Sequence, residues 1–326
     1  MSEASTQPIP DLSVIVASYN TAELTIQCLR SVFEQTTSVA FEVLVVDDCS
    51  PDNSVERIRK SFPDVTLLVN ETNKRYAFTN NRGLKACRGR YGLILNTDTI
   101  IHDDALGRLV RFMDAHPQAA AAGPKLLNPD GTVQHCIRSF VGIPVAFAQS
   151  VGLHRVWPSN PITNRYYHED LDYDRSQVVD AIGTTAFIIR RDAWERFGML
   201  DERFTWAWVD PAYCHLLKQN GQEVWYVAEA EVTHLGGQSI GTQSTAKELR
   251  LQHDALRLYY AEYLGRTDSA AKKALVGAAI RVRHAIKRVG LAVAKDKRLI
   301  KSPGAPKLTT GTPPRPVDAP KATGPT

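Results

Sequence analysis

Apolar and polar positions along the first hundred residues switch between two periods. Residues 12–17 form a short β-branched apolar run followed by turn residues, the pattern of a strand buried on both faces. Over residues 21–35 the period becomes helical. Leu24, Cys28 and Val32 recur on one face beside Leu29 and Phe33, and Asn20 is placed to cap the helix. The exchange repeats, with strands at 41–46, 65–69 and 91–95 and helices over 54–62 and through 80–87. Strands alternating with helices predict an α/β fold, a single Rossmann-like, mostly parallel sheet flanked by helices, whose ligands bind beyond the carboxyl ends of the strands.

After residue 95 the rhythm changes. A helix is predicted over 103–116 and a hairpin over 126–133, turning at Asn128-Pro129-Asp130-Gly131. Residues 137–177 have no period and are rich in aromatics and His, including Trp157, Tyr166, Tyr167 and His168, the character of a substrate-facing loop region. A strand over 178–189, helices over 191–197 and 211–220, a strand over 223–227 and a loop over 233–237 follow, the second helix opening on Pro211 and stopping at Gly221. From about residue 270, Leu275, Ala279, Val282, Ile286, Val289 and Val293 make a helical stripe, with Lys273, Arg281, Arg283, Lys287 and Arg288 over other faces. Such a helix lies on an anionic membrane surface, or packs on the body or on another subunit. Residues 1–10 read as a flexible N-terminus, and 302–326, rich in Pro, Thr, Gly and Lys, as a disordered tail.

Composition narrows the picture. A chain of 326 residues that is 43% hydrophobic can bury a large core. Its start has neither a basic segment nor an apolar signal region, and no apolar run is long enough to span a bilayer, so a cytoplasmic location is expected. Five scattered cysteines without a Cys-x-x-Cys spacing predict reduced, packed thiols rather than disulfides or zinc. The net charge of +4 divides into +11 from residue 266 onward and −7 before it. The tail thus suits an anionic membrane surface, and the acidic body argues against nucleic acid as a partner.

Candidate chemistry falls just after the strands. Asp47 and Asp48 can accept hydrogen bonds from a base or ribose, and Asp47 equally suits a turn cap. Asn96-Thr97-Asp98 offers an amide and a carboxylate to Mg2+ or Mn2+ arriving with a diphosphate. Asn80-Asn81-Arg82-Gly83, read as a loop-to-helix boundary, can hold phosphate oxygens or simply cap the helix. His234 can complete a metal site or be structural. No Gly-x-Gly-x-x-Gly follows the first strand, which argues against a dinucleotide-dependent dehydrogenase.

Together the runs Val14-Ile15-Val16-Ala17-Ser18-Tyr19-Asn20, Val45 to Ser54, Asn80 to Gly83, Leu95 to Asp98, Ile188 to Arg191, Leu200 to Phe204 and His234 to Gly237 resemble family 2 glycosyltransferases, most closely the bacterial rhamnosyltransferase-like branch. The resemblance spans about residues 11–265. It implies a GT-A fold, with a nucleotide-binding half over 11–125 and an acceptor-binding half over 126–265, followed by the basic amphipathic helix read over 266–301. It further implies an inverting transfer from a UDP- or dTDP-sugar to a glycan or lipid-linked saccharide in cell-surface polysaccharide synthesis, and the basic tail suggests attachment at the inner face of the membrane. By this resemblance Ala17, Tyr19, Asn20, Asp47, Asp48, Asn81, Arg82, Asn96 and Thr97 line the nucleotide sugar, with Asp48 on the pyrimidine. Asp98 and His234 meet the metal or diphosphate, and Asn96 stands where the family's first acid usually is. The family's Glu-Asp-x-Asp-x-Cys appears here as Val209-Asp210-Pro211-Ala212-Tyr213-Cys214. Only Asp210, aligned with the base, survives, and losing its acidic neighbours predicts a lowered pKa. Trp206 and Trp208 offer flat faces to an acceptor. The alternative is a catalytically silent binding module.

Overall fold

The structure is a computed structural model and describes residues 8–140, 145, 157, 166, 171–205, 207–236 and 246–299. Trp206, Tyr167, His168 and the segments 1–7 and 300–326 lie outside the described residues. The alternation read from the sequence is realised in the first part of the chain. Strands β1 (Leu12–Ser18), β2 (Phe41–Asp47), β3 (Thr66–Val69) and β4 (Tyr91–Asn96) pair in parallel in the order β3-β2-β1-β4. Helices α1 (Ala22–Gln35), α2 (Ser54–Ser61) and α3 (Arg75–Ala86) make the crossovers. Alternate residues of each strand enter opposite cores. Ile15 and Ile94 face one, and Val14, Val16, Leu93 and Leu95 face the other.

Helix α3 starts earlier than the sequence suggested and runs through Asn80-Asn81-Arg82-Gly83. It lies so close to β1 that a Cβ on Gly83 would collide with the Ile15 side chain. The polar run at 80–83 is therefore helix interior, not a helix start. Asn20 does not cap α1 either. Its φ of 55° is left-handed, and Thr21 is the N-cap, without a side-chain cap bond.

Beyond β4 come β5 (Thr99–Ile101), α4 (Ala105–Ala115) and β6 (Ala119–Leu127). The 126–133 hairpin exists as a Leu127–Val133 bridge turning at Gly131, whose φ is 83°. The strand expected over 178–189 is three pieces, β8 (Gln177–Val179), β9 (Ala181–Ile182) and β10 (Ala186–Arg190), with β9 paired to β7 (Ile137–Arg138) in a separate small sheet. Helices α5 (Arg191–Phe197) and α6 (Val209–Gln219) precede β11 (Glu223–His234), which continues past the predicted end at 227 through an irregularity between Val227 and Glu231.

Strand β10 enters the sheet antiparallel between β4 and β6, and β11 then follows β6 in parallel. Among the described residues the main sheet has nine strands, of which β5, β8 and β10 run against the other six. The mostly parallel sheet is thus one body to which both expected halves contribute, and the boundary at 125 falls inside β6. Helix α7 (Ala246–Tyr259), a π-helical turn at Tyr260–Leu264 and α8 (Ala270–Leu299) complete the chain. Val276 and Ile280 of α8 pack on Leu256 and Tyr260, so this helix does sit on the body. The predicted stripe is a different face: Leu275, Val282, Ile286 and Val289 are exposed. Among the described residues no helix is long and apolar enough to cross a membrane.

Candidate active site

Parallel pairing brings the carboxyl ends of β1, β2 and β4 together. Ala17 stands opposite both Val46 and Asn96, and Ser18 opposite Asp47. Asp47 is fully buried and holds the turn: its Oδ1 accepts the Ser50 N–H at 2.8 Å and its Oδ2 the Ser50 hydroxyl at 2.6 Å. The Ser50 oxygen in turn accepts the Asn20 N–H at 2.8 Å. Asp47 therefore fixes the loop after β1 through Ser50, the turn-cap role the sequence also allowed it. Tyr19 and Asn20 remain exposed on that loop.

Asp48, 5% exposed, accepts the Asn70 amide at 2.7 Å and the Lys74 N–H at 2.8 Å on Oδ1, and the Arg75 N–H at 2.8 Å on Oδ2. A carboxylate facing the first N–H groups of α3 favours that helix, and one acceptor site on Oδ2 is left for a ligand. Asn81 is not available to phosphate. Its Nδ2 donates to the Leu200 carbonyl at 2.8 Å and Glu202 at 2.9 Å, and its Oδ1 accepts the Leu200 N–H at 3.1 Å. Arg82 Nη1 is held by the Val69 carbonyl at 2.7 Å and Asn70 Oδ1 at 2.6 Å, at the end of β3. These two residues brace the site's walls.

The loop after β4 carries the metal candidates. Strand β5 pairs antiparallel with the end of β11, His234 opposite Thr99, and the Leu235 N–H donates to the Asp98 carbonyl at 2.9 Å. This register places Asp98, which directly precedes β5, beside His234. Asp98 Oδ1 lies 3.4 Å from His234 Nε2, with Asp98 4% exposed and Thr97 6%. His234 Nδ1 meets Gln134 Oε1 at 2.6 Å. Asn96 is half-buried, and its N–H donates to the Thr185 carbonyl at 2.8 Å. Among the described residues no three His, Cys, Asp or Glu side chains converge. A carboxylate oxygen and an imidazole nitrogen facing each other fit a divalent cation that takes its other ligands from water and diphosphate.

Asp210 lies in the wall of a cavity. It is the second residue of α6, behind Trp208, whose φ of 72° is costly for a bulky side chain. Its Oδ1 accepts the Thr184 hydroxyl at 2.9 Å, and the Tyr76 phenol donates to Thr184 Oγ1 at 2.7 Å. Burial raises the Asp210 pKa above the ordinary aspartate value, against the smaller lowering by the Thr184 bonds. This corrects the lowered pKa expected from the sequence: withdrawal from water outweighs the loss of acidic neighbours. Burial, then the charges of Asp210 and Asp98, push the Tyr76 phenol up, so this hydroxyl senses both carboxylates. Asp210, Trp208, Gln134, Arg138, Tyr166 and Thr185 line a cavity of about 350 Å³. One face of Trp208 is stacked on Tyr259, with ring centroids 5.1 Å apart. Val209 and Ala212, at the positions of the missing acids, are buried. Burial also pushes Cys28, Cys136 and Cys214 to about 12, which makes these thiols packing groups rather than nucleophiles.

Tyr76, Thr184 and Gln134 were not singled out from the sequence. Thr184 had a signal, since Gly183-Thr184-Thr185 interrupts an apolar run and so marks a break in the strand. Tyr76 and Gln134 had none, because only the tertiary arrangement brings them to Asp210 and His234.

The chain is similar to several known proteins. An N-acetylglucosaminyl-diphospho-decaprenol L-rhamnosyltransferase of Mycobacterium tuberculosis is 26% identical over 235 residues, 68% of this chain and 74% of that protein. An O-antigen biosynthesis protein of Myxococcus xanthus is 30% identical over 69% of this chain but only 17% of its own length. Among solved structures, GalNAc-T7 with UDP, GalNAc and Mn2+ superposes with a TM-score of 0.53 at 15% identity, covering 90% of this chain and 58% of that one. S. aureus TarS 1-349 in complex with UDP-GlcNAc gives 0.50 at 18%, covering 84% and 72%. These likenesses identify the fold as GT-A. Residues 13–197 match the model of glycosyl transferase family 2, and the chain belongs to that family, in its rhamnosyltransferase-like branch.

Proposed function

We propose that this glycosyltransferase moves a sugar, with inversion, from a UDP- or dTDP-sugar to a glycan or lipid-linked saccharide in cell-surface polysaccharide synthesis. The observation that carries this reading is the pair of carboxylates: Asp98 beside His234, and Asp210 on the wall of a cavity that Gln134, the hydrogen-bond partner of His234, also lines. In an in-line displacement the acceptor oxygen bonds to the anomeric carbon while its bond to the diphosphate breaks, and the hydroxyl proton passes to Asp210. A base whose pKa burial has raised toward the working pH takes that proton more effectively than an ordinary aspartate, and such groups contribute roughly 10²- to 10⁴-fold. Thr184 holds the carboxylate by its Oδ1. Mn2+ or Mg2+ held by Asp98 and His234 would neutralise charge on the leaving diphosphate as a Lewis acid. Asp48, with its remaining acceptor site, suits the base, and Ala17, Tyr19, Asn96 and Thr97 the rest of the nucleotide sugar. In this reading residues 11–125 mainly serve the donor, and 126–265, with Trp206 and Trp208, the acceptor.

The relatives support the finer choices: one is a rhamnosyltransferase of a diphospho-decaprenol acceptor, and the solved structures hold UDP-GlcNAc in one case and UDP with Mn2+ in another. A second reading, a silent binding module, draws on Val209 and Ala212 where acids are usual. We further propose peripheral attachment to the inner face of the cell membrane through the exposed stripe of α8 and its basic residues. The test of function is a nucleotide-sugar panel read by thermal shift, followed by nucleoside diphosphate release with and without Mn2+. The proposal expects one donor to stabilise the protein and metal-dependent release on adding acceptor. Binding without turnover under every acceptor tried favours the silent module, and no donor binding overturns both.

A further inference from the structure

The hairpin after β6 contains a chain of hydrogen bonds that ends on His234. Thr132 Oγ1 lies 2.6 Å from Asp130 Oδ1, Asn128 Nδ2 lies 2.9 Å from Thr132 Oγ1, Gln134 Nε2 lies 2.9 Å from Asn128 Oδ1, and Gln134 Oε1 lies 2.6 Å from His234 Nδ1. Two backbone bonds hold the frame, Gln134 N–H to the Leu126 carbonyl and Asn128 N–H to the Thr132 carbonyl, each at 2.8 Å.

The direction of this chain follows from its far end. The oxygen and nitrogen of an amide are nearly interchangeable in position, so neither Asn128 nor Gln134 fixes its own orientation. Asp130 does. An ionised carboxylate only accepts, and the Thr132 hydroxyl bond holds the Asp130 carboxyl below its ordinary pKa. Thr132 has a single hydroxyl hydrogen, which must go to Asp130, so its oxygen accepts from Asn128 Nδ2. Asn128 then turns its oxygen to Gln134, and Gln134 turns its oxygen to the histidine. An acceptor at 2.6 Å from Nδ1 requires a hydrogen on Nδ1. Reversing either amide would place two acceptors against each other somewhere along the chain.

We propose that the 128–134 hairpin is a positioning device that keeps the proton of His234 on Nδ1 and so reserves Nε2, the nitrogen 3.4 Å from Asp98, for the cation that accompanies a diphosphate. Asp98 alone would draw a proton onto Nε2, leaving Nδ1 bare. The relay opposes that choice, since a bare Nδ1 would face the Gln134 oxygen. The hydrogen bond to Gln134 also fixes the ring plane, as the second partner of a metal-binding histidine does. Asp130, Thr132, Asn128 and Gln134 act through His234 and touch no reacting atom. This inference rests on the proposed donor site, but its main observable does not need the donor.

The test is 15N nuclear magnetic resonance of the full chain, free of metal and nucleotide, at pH 8.5, above the ordinary titration range of histidine. Nine histidines are present, so the His234 signals are assigned by their loss in His234→Gln. The relay predicts a protonated Nδ1 in the wild type and in Gln134→Glu, whose carboxylate still accepts. It predicts transfer of the proton to Nε2 in Gln134→Leu, and a mixture in Asp130→Asn, where the terminal group can also donate and no longer imposes a direction. A bare Nδ1 in the wild type, or a protonated Nδ1 that survives Gln134→Leu, overturns the proposal. Calorimetry of Mn2+ with UDP supplies the second readout: Gln134→Leu should weaken binding on the order of tenfold, and Gln134→Glu should restore it. Failure of every nucleotide sugar to bind would sink the proposed donor site while leaving the tautomer result to stand or fall separately.

Discussion

Replacing Asp210 by Asn tests the chemistry and the energetics of the site at once. The amide has the size of the carboxylate, and its oxygen can still accept the Thr184 hydroxyl, so packing behind Trp208 is retained. What is lost is the ability to take a proton. A positioned base contributes roughly 10²- to 10⁴-fold, which at about 1.4 kcal/mol per tenfold is about 3 to 6 kcal/mol of transition-state stabilisation. Turnover should fall by that factor, with donor affinity unchanged if the cavity lined by Asp210 takes the acceptor, as proposed. Stability should move the other way. Burial raises the folded-state pKa above the unfolded value, so between the two the folded chain binds more protons and its stability declines as pH rises. Above that window the folded protein carries the full cost of an ionised, desolvated carboxylate, which Asn removes. Nucleoside diphosphate release measures the first effect, and thermal denaturation at pH 7.5 and at pH 3 the second. Asp210→Asn should melt above the wild type at pH 7.5, and the gap should shrink in acid. A variant that turns over at near the wild-type rate refutes the base assignment, and one that melts lower at neutral pH refutes the burial argument.

Three further outcomes follow from the same geometry. Thr184→Val removes the bond that lowers the Asp210 pKa, so the acidic limb of the kcat/KM profile should move to higher pH; an unmoved limb would detach Thr184 from the base. Asp98→Ala should lower turnover by about a hundredfold or more and abolish the response to added Mn2+, and calorimetry of Mn2+ with UDP would expose a retained metal site. Leu275→Glu with Val289→Glu places charges on the exposed face of α8 without touching Val276 or Ile280, so sedimentation with anionic vesicles should be lost while melting stays unchanged; persistent sedimentation would reject that face as the membrane contact.

The nucleotide-side strands and helices were legible because each carries a full period of its own pattern, as Val14, Val16 and Ile15 divide between two cores. The later strands were not. Strand β10 lies inside an apolar run that continues through β9, and only the break at Gly183 to Thr185 separates them. Asp98, His234 and Asp210 stood out as isolated polar groups beside strands or in a family motif. Their neighbours told less in the sequence, because an amide or carboxylate after a strand can serve the ligand or the frame. Asp47, Asn81 and Arg82 each bond to the frame, which becomes visible only once Ser50, Leu200 and Val69 are within bonding distance. The raised pKa of Asp210 likewise depends on how many atoms surround it, a quantity that pairwise charges in the sequence do not contain.

The antiparallel placement of β10 between β4 and β6 has a consequence for synthesis on the ribosome. While the chain emerges, β1 to β4 can assemble as a small parallel sheet, but β4 keeps an open edge until residues 186–190 arrive. Strand β6 has by then waited without its central neighbour, and β11, which carries His234, is made later still. A long interval with unpaired strand edges invites self-association and slows folding. Nascent chains stalled before residue 186 should therefore recruit chaperones and remain protease-sensitive, and resistance should appear only after β11 has left the exit tunnel.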